Sequence, residues 1–425
     1  MNRHILATII LLCGVFLWGS AATAQVRVIT LGTWWMGMVE PVSRVLDHYN
    51  RQHPGVQIIH EPIDAMHYDD VMERMLREGV GPDMLFLRSF QESEKLYNKG
   101  LLKPVDECIE RLQFYPEDVR RPWTGKDGHL YGLPFFSVAH GIYYNKAIFK
   151  KYDLAIPETF EELLAVAKNL HEKGVLPFAN TTGSRVASAE VIFLNLAPGF
   201  LGGVEGRKAY LSGERPLNDA HMLNLYKAVQ ALGPYLHENM HMMDRYNSSS
   251  LFLTGQAAML FGGSWHISRF IHDINELDIG VFSTPAPKGM EKIIALHPDT
   301  AIGVNADSPS SNDKEIKNFI QWLQDPTVLQ MLQDELPGMI PLSTAAGKSE
   351  MDLHSTFVEF TKSYESDIRF GWEGLRGGKI DSLEVIAETT NAVLEGRLSP
   401  ENAVSLLHRS LESYIPKNNS GGKEQ

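Results

Sequence analysis

Cysteine is almost absent: there are two in 425 residues, Cys13 and Cys108. Cys13 lies within an N-terminal apolar run and lacks a lipobox in front of it, which argues against lipid attachment there. Cys108 is then alone in the mature chain. An intramolecular disulfide is excluded, and stability has to come from a large core. Excess positive charge is missing too. A formal net charge of −13 argues against nucleic acid or an anionic membrane as partner. Beyond Gln25 no apolar run is long enough to cross a bilayer as a helix, and no repeat of solenoid length occurs. A complete phosphate-binding loop is also lacking. Gly347-Lys348-Ser349 has its ending, but position 342 is Leu342 where the loop requires glycine. No ATPase is expected in this chain.

What is present reads as a secreted globular protein. Arg3 and His4 precede an apolar run over 5–18, and Ala22-Thr23-Ala24 supplies the small residues of a cleavage site. The run is too short to span a membrane with any margin. Residues 1–24 are therefore expected to be a cleavable signal peptide, with the mature protein soluble in the periplasm. Hydrophobic content of 44% with mixed charge is that of a folded chain, and its length suits two or three domain-sized units.

Along the chain, 26–31 alternates as a strand, and Val42, Val45, Leu46 and Tyr49 give 39–50 a helical apolar stripe. His53-Pro54-Gly55 breaks it, and strand, helix and strand follow at 56–60, 68–78 and 83–87. This alternation builds an α/β fold with a mostly parallel sheet covered by helices. The pattern resumes at Thr159, a candidate N-cap with Glu162 as its capping-box partner, for a helix reaching about His171 and ended by Gly174. Further helices are expected at 223–232, 314–323, 328–332, 382–395 and 400–411, and a strand at 279–282. Residues 417–425 are polar and expected to be a disordered tail.

Two signals point to other chemistry. His237-Glu238-Asn239-Met240-His241 fits H-E-x-x-H, which on a helix sets two imidazoles and a glutamate base around zinc. Pro234 just upstream and the missing glycine-spaced third histidine count against it. Acidic pairs such as Glu161-Glu162 and Asp69-Asp70 lie on expected helices and read as solvated faces, not as glycosidase carboxylates confronting each other across a cleft.

A set of motifs in fixed order carries more. Gly81-Pro82-Asp83 precedes the third strand, Tyr131-Gly132-Leu133-Pro134 opens the stretch 131–149, and Pro157, Thr159, Phe160, Glu162 and Leu163 form P-x-T-F-x-E-L. Gly255-Gln256-Ala257-Ala258-Met259 follows, then Gly262-Gly263-Ser264-Trp265, then Phe319, Trp322, Leu323 and Pro326, and finally Gly338-Met339-Ile340-Pro341. Over nearly the whole mature chain this resembles the extracellular solute-binding protein family 1, the maltose-binding-protein-like, sugar-binding components of bacterial ABC importers. The resemblance implies a two-lobed periplasmic-binding-protein fold of type II, each lobe a mostly parallel sheet flanked by helices, joined by a hinge. It implies lobe 1 at 25–136 plus 285–340 and lobe 2 at 141–282 plus 343–414, with hinge crossings at 137–140 and 283–284. It further implies a carbohydrate ligand, transmembrane permease subunits with a separate ATPase chain as partners, a monomer, and no catalytic residue, metal or cofactor.

A sugar presents flat C–H faces to aromatic rings and hydroxyls to polar groups in fixed directions. Ligands of open α/β sheets bind outside the carboxyl ends of strands, which directs attention to residues just after strands and at the crossings. Trp34 and Trp35 follow the first strand, and two adjacent tryptophans on a short loop are not expected both to point inward. Trp265 follows a glycine turn, and by analogy with the family it and Trp372 reach the ligand. Asp64 and Ser89 come just after the second and third strands. Phe136, with Phe135 and Tyr143 beside it, and His140 lie in the first crossing; some relatives carry an acidic residue where His140 stands. Asn180 and Arg185 follow an extended segment. Arg369 either forks onto hydroxyls or a carboxylate or pairs with Glu373. Asp83 is expected to bond backbone instead of ligand. An extracellular hydrolase (zinc peptidase or glycosidase), or the same fold holding a polyol or phosphate ester, are the competing readings.

Overall fold

A computed structural model describes residues 26–65, 67–184, 188–273, 277–349, 351–376 and 380–416; the expected signal peptide and C-terminal tail lie outside them. The chain opens with β1 (Arg27–Thr33), β2 (Val56–Pro62) and β3 (Met84–Leu87), all parallel, with β1 in the centre. Helices Val39–Gln52 and Tyr68–Arg77 connect them. The first buries Val42, Val45, Leu46 and Tyr49, the stripe its spacing predicts, and places Glu40 in its first turn and Arg51 in its last, as the helix dipole favours.

The remaining strands are β4 (Leu102–Lys103), β5 (Leu133–Asn145), β6 (Leu176–Phe178), β7 (Ala257–Gly263), β8 (Ile279–Phe282), β9 (Ile293–Asn305), β10 (Ile340–Pro341) and β11 (Glu365–Asp367). The main sheet path runs β2-β1-β3-β9-β5-β7-β6. Two long strands join the lobes. From Leu133 to Ala139, β5 pairs with β9; from His140 to Asn145 its neighbours become β7 and β8. Likewise β9 pairs with β11 over Ile293–Ala295 and with β3 over Ala301–Val304. The β5–β9 register slips on either side of Phe136. Such irregularities bend and twist a strand pair, and this one sits where the chain passes between lobes.

Each lobe has its own core. Trp34, Tyr49, Phe86, Trp123 and Phe136 belong to the first, and Leu163, Phe193, Tyr226 and Leu407 to the second; Tyr143, Phe252 and Phe357 form a third cluster on the second lobe's sheet. In the helix Phe160–Glu172 the Thr159 hydroxyl accepts the Glu162 N–H, and the Glu162 carboxylate accepts the N–H of Glu158, one residue further out than the usual capping box.

Two crossings differ from the sequence expectation. The Thr284–Gly289 segment stays with the second lobe: Phe160 donates its N–H to the Ala286 carbonyl at 2.9 Å. The chain returns along β9 instead, whose backbone groups are paired with β11, β5 and β3 on the way across. After β10 the Leu342 N–H bonds the Phe135 carbonyl, and Ala345 and Ala346 pack on the first core, so the final return follows Ala346.

Candidate functional site

Between the lobes lies a cavity of about 510 Å³, walled by Trp34, Trp35 and Arg88 of the first lobe and Trp265, Arg369 and Trp372 of the second, with Val138 and Asp299 from the hinge strands. β1 ends at Thr33, whose hydroxyl accepts the Trp35 N–H at 3.2 Å. Trp35 has left the strand conformation (φ −92°, ψ 60°). The pleat no longer forces adjacent side chains to opposite faces, and both indoles turn inward against the edge of Phe86, 5.3 Å from Trp34 and 4.6 Å from Trp35. This overturns the expectation that two neighbours would not both be buried: they are 8% and 5% exposed. Both still border the cavity.

Trp265 follows β7. A Cβ on Gly263 would fall 1.9 Å from the Trp265 ring, so glycine there is what lets the indole lie back over the strand end. The loop after β11 supplies Arg369 and Trp372. It turns at Gly371 (φ +85°), and Ser382 donates its hydroxyl to the Gly371 carbonyl at 2.9 Å.

Arg369 is the hub of the site. It is 2% exposed, donates from Nε to His140 Nε2 at 3.0 Å, and meets Asp299 at 3.3 Å and Glu190 at 3.4 Å. Its guanidinium lies 5.2 Å from each of the Trp265 and Trp372 rings. Burial first, then the adjacent guanidinium, push the His140 pKa well below its ordinary value; the ring is neutral and accepts through Nε2. Arg376 stands 4.7 Å over Trp372 and pairs with Asp381 at 2.9 Å and Glu92 at 3.4 Å. On the first lobe Arg88 covers Trp34 at 4.6 Å, binds Asp69 through Nε at 2.8 Å, and donates to the Ala65 carbonyl. The walls are thus layers of indole and guanidinium, with carboxylates at the guanidinium edges.

Of the residues singled out from sequence, Trp34, Trp35, Trp265, Arg369 and Trp372 line this cavity. His140 is fully buried behind it and reaches it through Arg369 and the Trp265 edge, 5.1 Å away. Ser89 is buried against His297 Nε2 at 3.0 Å. Phe136 packs in the first core, as do Phe135 and, on the second lobe, Tyr143. Asn180 is committed to backbone, bonding both the N–H and the C=O of Phe261 at 2.9 Å. Asp64 does not border the cavity and meets His67 at 3.1 Å. Arg185 lies outside the described residues. Arg369 does not pair with Glu373, which takes Arg207 and Arg121 instead. Asp83 holds the Thr30 N–H, Ser308 and Asn312. Sequence reasoning missed Arg88, Asp299, Glu190 and Arg376. Only Arg88 carried a signal, as the first residue past the end of β3.

The H-E-x-x-H stretch is a turn leading into the short 3₁₀ helix Met240–Met242, and the Asn239 N–H bonds His237 Nδ1. Its histidines do not share one α-helical face, which that motif requires. Among the described residues no helix is long and apolar enough to cross a membrane.

Comparison with known proteins agrees with this architecture. An uncharacterised ABC transporter extracellular-binding protein from Pyrococcus horikoshii is 24% identical over 298 residues, covering 66% of this chain and 67% of its own. An sn-glycerol-3-phosphate-binding periplasmic protein from Brucella abortus is 22% identical over 408 residues, 89% of this chain and 90% of its own. Several relatives are spanned over no more than 62% to 67% of their own length. The solved structure of SBP RafE in complex with raffinose superimposes with a TM-score of 0.77 at 20% identity, covering 92% of this chain and all of the other. Residues 32–329, well over half of the chain, match the family of bacterial extracellular solute-binding proteins. With its cavity enclosed between two lobes on a pair of shared strands, the chain belongs to that family.

Proposed function

We propose that this protein captures a carbohydrate of one to a few rings between its lobes, outside the cytoplasm, and delivers it to the membrane permease of an ABC importer. The ATPase of that importer is a separate chain, and no covalent chemistry takes place here. The observation that carries the reading is the layering of indoles with guanidinium–carboxylate pairs around a cavity of about 510 Å³. Indole faces suit the C–H faces of a sugar ring, and paired charges offer each hydroxyl both a donor and an acceptor. A ligand touching both walls favours the closed arrangement, which the permease then recognises. The names of the Pyrococcus relative and of the raffinose complex support this reading. A phosphate ester is the second reading, favoured by the name of the Brucella relative. The carboxylates on Arg88, Arg369 and Arg376 speak against it at these three guanidinium groups, whose charge is already paired.

The test is a melting-temperature screen of the mature protein against raffinose, malto-, xylo- and chito-oligosaccharides, and sn-glycerol 3-phosphate. At 100 times its dissociation constant a ligand adds roughly 2.7 kcal/mol. A rise with one saccharide is expected. No rise with any saccharide, alongside a rise with sn-glycerol 3-phosphate, would overturn the carbohydrate reading.

A further inference from the structure

We propose that Glu190 and Asp299 on Arg369, and Asp381 on Arg376, are specificity-determining residues: they screen these two buried guanidinium groups so that the cleft accepts uncharged ligand groups there and rejects anions. This rests on the reading that the cleft binds a polar solute.

A buried arginine facing a cavity is by itself a carboxylate or phosphate site, because its planar fork matches two anionic oxygens. In this cleft each buried guanidinium already meets carboxylate oxygen. Arg369 has Asp299 at 3.3 Å and Glu190 at 3.4 Å, Arg376 has Asp381 at 2.9 Å and Glu92 at 3.4 Å, and Arg88 has Asp69 at 2.8 Å. A second anion arriving at Arg369 would confront both carboxylates at close range in a poorly solvated site, where like charges are most costly.

A hydroxyl meets no such conflict. It accepts from the guanidinium with a lone pair and donates its proton to the neighbouring carboxylate, which a phosphate dianion or the carboxylate group of a uronate is unable to do. The Arg369 pairs are longer than the usual 2.7–2.9 Å of charged hydrogen bonds, which leaves them open to such bridging. The aromatic layers hold the arrangement. Trp265 and Trp372 flank Arg369, and His140 holds its Nε, so the guanidinium keeps its edge turned toward the two acids. Glu190 owes its position to the π-helical stretch Ala189–Phe193, a rare backbone form concentrated at functional sites. Its side chain is 31% exposed, while Asp299 is 12% exposed.

The experiment measures binding by calorimetry and by tryptophan fluorescence for the wild type, Glu190→Gln and Asp299→Asn. The probes are raffinose and chito-oligosaccharides (neutral) and trigalacturonate, sn-glycerol 3-phosphate and inorganic phosphate (anionic). The wild type should ignore the anions. Glu190→Gln should bind inorganic phosphate and trigalacturonate about tenfold tighter or more, the scale of one freed charged hydrogen bond, and the gain should vanish at high salt. Glu190→Gln is nearly isosteric and partly exposed, so it remains interpretable if Asp299→Asn does not fold. Wild-type protein that binds trigalacturonate as tightly as any neutral saccharide would overturn the screen. So would folded Glu190→Gln with no gain in anion affinity. Anion gain in Glu190→Gln without any saccharide bound by the wild type would uphold the screen and sink only the carbohydrate reading.

Discussion

Trp265 and Trp372 both border the cleft, yet their surroundings give them different tasks. Trp372 is 4% exposed, with guanidinium groups 5.2 and 4.7 Å from its ring and the edge of His297 at 5.2 Å. Arg369 and Arg376 both lie against its ring, and it belongs to the second core. Trp265 is only half-buried and also lines the cavity. Trp265→Ala should therefore weaken saccharide binding by roughly 30-fold or more, as loss of an aromatic anchor does, with little change in the melting temperature of the free protein. Trp372→Ala should also cost about 3 kcal/mol of stability through its cavity. Calorimetric titration and thermal melts of both variants decide this; equal melting temperatures for the two would remove the distinction. The histidines give a pH prediction. Burial lowers His60, His266 and His354 from 6.5 to about 4, so the unfolded chain takes up each proton first. Stability is complete above about pH 6.5 and falls as the pH drops toward 4, by up to ~1.4 kcal/mol per pH unit for each of His266 and His354 and by less for His60, which is partly exposed and screened by solvent. His140 and His297, held well below the ordinary histidine value by burial and then Arg369, act in the same direction. Melting curves across this range should show the decline, and a flat profile would contradict it.

At the scale of elements, glycine loops place the site. Gly338 has φ +93°, and a Cβ there would come within 1.9 Å of the Ser264 carbonyl oxygen, one residue before Trp265. Gly338→Ala therefore combines backbone strain with a backbone clash. It should destabilise the protein by more than about 1 kcal/mol and weaken ligand binding by shifting Trp265. Circular dichroism melts and a saccharide titration test this; an unchanged melting temperature with unchanged affinity would show that the two loops give way freely. The same elements show what local sequence reveals. The first three strands and the helices between them were legible because period-two and helical apolar patterns end at clear breakers such as His53-Pro54-Gly55. The return along β9 was not. The crossing was expected at 283–284, whereas the strand that crosses carries His297, Pro298 and Asp299 in its middle and looks broken. H-E-x-x-H was legible as letters only, since Pro234 and the 3₁₀ turns around it prevent the helix that would give the spacing meaning. The tryptophans of the cleft were found because each follows a strand or a glycine turn. Glu92 and Arg376 are joined only by the tertiary fold, and no local pattern announces such a pair.

At the scale of the whole molecule, the strands β5 and β9 run through both lobes, and further contacts on one side of the cleft tie the lobes together. Arg121 of the first lobe pairs with Glu373 of the second, the Gly374 N–H bonds the Gln91 side chain at 3.0 Å, and Glu92 reaches Arg376 at 3.4 Å. Phe90, beside them, takes a left-handed backbone (φ 62°) while its ring packs with the second core. A bulky residue holds such a conformation only where its surroundings enforce it. These contacts need no ligand, so they bias the empty protein toward closure and raise its apparent affinity by raising the competent fraction. Arg121 is half exposed, so Arg121→Ala should leave the melting temperature nearly unchanged. Losing roughly 1 kcal/mol of closing energy should still weaken saccharide binding about fivefold and enlarge the radius of gyration of the ligand-free protein in X-ray scattering. High salt should reproduce part of both effects in the wild type by screening the exposed pair. If Arg121→Ala keeps wild-type affinity and scattering, closure is governed by the ligand and the hinge strands alone, and the Glu373 contact is a passive consequence of it.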